Sequence, residues 1–179
     1  GVASLHGGNI STSTWTTPEK EAMVVGLEQW TNLIGMGIEQ VDNETDADLK
    51  FYVTTDPSAN YYGAHYGPHG SYPGVGIYVR FPGNNWTDSL QPGGFGFITI
   101  IHELGHAMGL AHPHDDGGNA RPTFAELDLG GLDEDFMTIM SYEDGFNWNL
   151  INWDPGTPMF LDVLALQYLY GKNETLFAD

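Results

Sequence analysis

His102, Glu103, His106 and His112 bring three imidazoles and a carboxylate within eleven residues, at the spacings that metal-assisted hydrolysis requires. On a helix, four residues turn the chain by about 400°, so His102 and His106 project from nearly the same side, one turn apart, and can reach one ion. Glu103 is rotated by about 100° from the first of them. Its carboxylate then stands beside the ion, where it can hold a proton taken from water as a general base does. His112 lies six residues beyond His106, a spacing that a straight helix does not return to the same face. The chain must turn in between, and Gly109 can supply that turn. Three neutral nitrogens leave a fourth position open, and zinc in such a site lowers the pKa of water to about 7. An open site is the mark of catalytic rather than structural zinc.

The five-residue pattern from His102 to His106 can arise by chance on a helix with solvated histidines. Gly109 and His112 at the longer offsets, with the apolar residues 97–101 leading in, make coincidence a poor account. The full pattern resembles the signature of the metzincin zinc peptidases, and its surroundings resemble the serralysin branch. The run Thr138-Ile139-Met140-Ser141-Tyr142 is similar to the serralysin Met-turn, departing only in Thr138 where serine is usual. Pro113 and Asp115 after the third histidine, and residues 161–171 as a closing helix, are similar to that branch as well. Together these motifs cover residues 18–172.

The resemblance implies an α+β metzincin-type zincin: a twisted mixed sheet with a backing helix, an active-site helix, and a smaller C-terminal subdomain after the Gly109 turn. One catalytic domain is expected over residues 1–179, with an upper part of about 1–109 and a lower part of about 110–179. His102, His106 and His112 would hold zinc with Glu103 as general base. Tyr142 would ligate zinc at rest and swing away to stabilise the oxyanion, and Met140 would pack beneath the site as a structural element. The strand before the active-site helix is the substrate-binding edge in metzincins, which makes Gly76, Ile77 and Tyr78 the substrate-binding candidates; the alternative is a plain core strand. The segment after the Met-turn, with Trp148 and Trp153, either walls the pocket beyond the scissile bond or is ordinary loop packing.

Thr17, Pro18 and Glu19 open a helix over residues 18–34, whose Ala22, Val25, Leu27, Trp30 and Leu33 form an apolar stripe. Residues 38–41 and the alternating residues 47–53 read as strands, and residues 75–81 return to strand character. Residues 54–74, crowded with glycine, proline, tyrosine and histidine, read as a long irregular loop. His65, His69 and His114 are an alternative second metal site, but three exposed histidines are the preferred reading. Residues 115–119 offer oxygens for calcium without the spacing of an EF-hand loop, so a solvated turn is preferred. Serralysins have a strand before the first helix, whereas residues 1–16 are rich in Gly, Ser and Thr.

With 179 residues, the chain can bury one core and not two. Its net charge of −19 argues against nucleic acid and anionic membrane surfaces as partners. No apolar run approaches the roughly 18 residues of a membrane helix. Cysteine is absent, which removes disulfides and thiolate ligands. The expectation is a secreted bacterial monomer acting on protein or peptide substrates, with glycine-rich calcium-binding repeats downstream in the full-length protein. The competing class is a weakly active or inactive zinc-containing module of a large secreted adhesin. Loss of Glu103 would have favoured that class, and Glu103 is present.

Overall fold

The computed structural model describes residues 2–5, 8–68, 72–80, 86–118, 120–145 and 154–177. Its architecture is α+β, with a mixed sheet covered on one face by two packed helices.

Helix α1 spans Thr17–Thr31. Thr16 starts it with a capping arrangement in which its main-chain N–H donates to the Glu19 carboxylate at 2.7 Å, and Pro18 occupies the first turn. The expected helix to residue 34 ends three residues early, and Ile34 instead bridges to Lys172. The buried stripe is Ala22, Met23, Gly26 and Trp30, whereas Val25 is exposed. Gly26 sets the contact with helix α2, Phe95–Ala107: a Cβ there would lie 3.1 Å from Ile100 and 3.2 Å from Leu104. Trp30 also donates its indole N–H to the Ile101 carbonyl at 3.1 Å, which satisfies its one polar atom inside the core.

The main sheet has three strands, β3 (Lys50–Thr54), β4 (Gly63–His65) and β5 (Val75–Val79), in the order β3-β5-β4. β3 runs parallel to β5 and β4 antiparallel to it. Alternation sends Val53 and Tyr78 into the core with α1 and α2, and Ile77 and Val79 into a second cluster with Ile10 and Ala59. Two readings change here. Residues 38–41 form no strand, and Ile38 and Val41 lie exposed. The loop read at 54–74 contains β4, too short for alternation to reveal.

The N-terminal stretch forms a separate antiparallel hairpin of β1 (Val2–Leu5) and β2 (Gly8–Ser11). It reaches the main sheet through an isolated bridge, in which the Ser13 N–H donates to the Val53 carbonyl at 2.7 Å. Helix α3, Phe160–Tyr170, is joined to the 138–140 turn by buried Asp162. That carboxylate accepts from Thr138 Oγ1 at 2.6 Å, Met159 N at 2.8 Å and Ile139 N at 2.9 Å. Among the described residues no helix is long and apolar enough to cross a membrane.

Candidate metal centre

Helix α2 carries His102 and His106 with ring centroids 4.9 Å apart. It ends where Gly109 takes φ +94°, a conformation that side chains strain, and the chain doubles back. The turn is closed by Leu110 N donating to the Gly105 carbonyl at 2.9 Å. It returns His112 to the two helical histidines, so that its Nε2 lies 3.1 Å from that of His102 and 3.0 Å from that of His106.

The other ring nitrogen of each histidine decides what these three atoms are. His102 Nδ1 faces the Ile139 carbonyl at 2.6 Å, His106 Nδ1 the Leu110 carbonyl at 3.0 Å, and His112 Nδ1 the Asp115 carboxylate at 2.6 Å. All three partners are acceptors, so each Nδ1 carries the proton and each neutral ring turns a lone pair inward. Burial holds the rings neutral. It lowers the pKa of His102 to about 3, helped by His106, and that of His106 to about 4. Burial also lowers His112, against the opposing pull of Asp115. Three converging lone pairs repel one another unless a cation lies between them. A three-nitrogen set with each ring oriented by an outer acceptor fits zinc.

The Tyr142 hydroxyl, 2.9 Å from His112 Nε2, adds an oxygen at the same point. Met140 is buried beneath the site with its sulfur against α2, where a Cβ on Gly105 would fall 2.6 Å from it. Gly105, the residue before His106, thus leaves space for the Met-turn.

Glu103 packs against β4. A Cβ on Gly63 would lie 2.7 Å from its Oε1, and the His65 main-chain N–H donates to its carboxylate. The second oxygen, Oε2, is buried without a hydrogen-bond partner among the described residues. Burial raises this carboxyl to about 8, against the opposing His65 hydrogen bond. A carboxyl whose pKa is brought near neutral pH can both give and take a proton.

The structure moves several expected site residues. Gly76, Ile77 and Tyr78 are buried in β5, which is paired on both sides and so cannot add a further strand. β4 is an edge strand. Tyr62 O and Tyr66 N bond back to β5, so the main-chain groups of Gly63 and His65 turn outward, toward Glu103. His65, expected to be exposed, instead packs over Gly76, with Nδ1 2.8 Å from the Tyr66 carbonyl. Asp115 is engaged within the protein: Oδ2 bonds His112 while Oδ1 accepts from Gly117 N and Arg121, at 2.8 and 2.9 Å. His69, Asn119, Trp148 and Trp153 lie outside the described residues. The roles of Gly63 and of the His65 main chain carried no signal in the sequence. That of Asp115 did, since a carboxylate three residues past a ligand can reach back to its ring.

No family model matches the chain. It is 28% identical over 191 residues to serralysin of Proteus mirabilis, covering 94% of this chain and 37% of that protein. Identity to serralysin C of Dickeya chrysanthemi is 31% over 186 residues, covering 97% of this chain and 38% of that one. Identity to metallopeptidase AprA of Pseudomonas marginalis is 27% over 173 residues, covering 90% and 35%. The chain therefore spans little more than a third of the length of these relatives.

Proposed function

The chain is a serralysin-like metzincin catalytic domain, and from that premise we propose that it is a zinc-dependent endopeptidase acting on protein or peptide substrates. The observation that carries this reading is the convergence of the His102, His106 and His112 Nε2 atoms with every Nδ1 committed to an acceptor, together with a buried Glu103 oxygen that has no partner among the described residues.

When bound by the three histidines, zinc supplies a Lewis acid that polarises the scissile carbonyl and makes water a nucleophile near neutral pH. Glu103 takes the proton from the attacking water at Oε2 and delivers it to the leaving amine. The His65 N–H holds its other oxygen, so the carboxylate does not rotate between the two transfers. Tyr142 donates its hydroxyl proton in a hydrogen bond to the developing oxyanion, a stabilisation that grows as charge grows. Its OH lies on the ligand nitrogens at rest, so it must move a short way for this role.

An extended peptide adds to the outer edge of β4, with main-chain bonds to Gly63 and to the His65 carbonyl giving affinity with broad sequence tolerance. The cleft lies between the part up to Gly109 and the smaller part after it. Monomeric state, secretion and downstream calcium-binding repeats belong to the same reading, which rests for these on the resemblance to serralysins. Metal analysis with a casein assay tests the proposal: about one zinc per chain, with hydrolysis abolished by a chelator and restored by zinc. Zinc-loaded protein inert toward casein and unstructured peptides would favour an adhesin module.

A further inference from the structure

Pro113 is buried between His112 and His114, and its carbonyl accepts from Phe124 N at 2.9 Å. Residues two apart on such an anchored, non-helical segment can present their side chains to one side, and here the two imidazoles lie almost parallel, 5.0 Å apart at 8°. His112 uses both ring nitrogens, one toward Asp115 and one toward the metal point. His114 takes no part in that set.

The His114 ring does touch Tyr142, with centroids 4.7 Å apart at 45°. Tyr142 is 66% exposed. Among the described residues its other ring contacts are His112 at 4.6 Å and His102 at 5.6 Å, both on the ligand side. His114 and the chain entering Tyr142 also share an anchor. Asp133 accepts from Ser141 Oγ at 2.6 Å with one oxygen, and its other oxygen lies 3.8 Å from His114 Nδ1.

We propose that His114 is a positioning residue for Tyr142, its imidazole completing with His102 and His112 a three-ring cradle that holds the phenol oxygen at the metal point. A phenol this exposed samples many positions when a ring contact is removed. The proposal rests on the catalytic reading of Tyr142 only for its kinetic consequence, not for the placement itself.

Two readouts on the intact protein separate those claims. In Cu(II)-substituted protein, a phenolate-to-copper charge-transfer band reports the tyrosine oxygen at the metal. H114A should reduce that band, H114F, which keeps an aromatic face, should restore it, and Y142F should abolish it. In the zinc enzyme, H114A should lower kcat about three- to tenfold, the scale of one aromatic contact, with KM little changed. H114F should recover most of this loss, and H114A added to Y142F should cost less than twofold. Equal losses from H114A in the wild-type and Y142F backgrounds would overturn the proposal, as would an undiminished band in H114A. Zinc loss from H114A in both backgrounds would make His114 a support for His112 and overturn it too. Wild-type kcat in Y142F would defeat the catalytic reading alone, and the copper band would still decide the placement.

Discussion

Gly63 and Glu103 meet so closely that a Cβ on residue 63 would fall 2.6 Å from Glu103 Cγ and 2.9 Å from Cδ. The atoms in the way are those of the proposed general base, so a methyl group here acts on catalysis before stability. Gly63→Ala should reduce kcat on the order of tenfold to a hundredfold, the scale of a small misplacement of a reacting group. The melting temperature should change little, since alanine also restricts the unfolded chain. Unchanged kcat in a variant that folds normally would show that Glu103 does not need this space.

Tyr142→Phe removes one hydroxyl and leaves three histidines. Zinc content should stay at one per chain while kcat falls on the order of ten- to a thousandfold, the range for one oxyanion donor. Fluorogenic-peptide kinetics checks this, and the loss should fall on kcat rather than KM.

Asp115 fixes the tautomer of His112 through the 2.6 Å contact at Nδ1. Asp115→Ala should weaken zinc about ten- to a hundredfold, as loss of an outer partner does at other histidine sites. Competition with a chromophoric chelator measures it. Retained affinity would mean that His112 is oriented by other contacts.

These roles divide by how much of each was legible in the sequence. The three-histidine cluster was legible because helical periodicity fixes the relation of His102 to His106, and one glycine at the right offset explains the return to His112. Strand order has no such periodicity: nothing in residues 75–81 tells a central strand from an edge, and three-residue β4 has no room to alternate. The hidden apolar face of α1 was displaced by Gly26, which reads as neutral yet permits the closest approach to α2. The acceptors for the histidine rings are mostly main-chain carbonyls, which every residue has and none advertises.

One buried charge outside the site gives the fold a pH dependence. Burial alone would raise Glu19, but hydrogen bonds from Arg80, the Thr16 main chain, Trp86 and the Thr16 hydroxyl together hold it down at about 2. A depressed carboxylate stabilises the fold above its unfolded pKa near 4.5 and loses that contribution as pH falls toward 2. With allowance for solvent screening, it is worth on the order of 1–3 kcal/mol at neutral pH. Glu19→Gln should be less stable than wild type at pH 7, with the gap closing through that acid range in denaturant titrations. A gap independent of pH would mean that the charge of Glu19 contributes nothing.

Whether Glu103 handles the proton at a zinc site built by His102, His106 and His112 is decided by Glu103→Ala assayed beside its own metal analysis. That variant should hold about one zinc per chain and hydrolyse peptide at least about a hundredfold more slowly, the lower end of what a general base contributes. A zinc-loaded Glu103→Ala protein that cleaves peptide at the wild-type rate would contradict it.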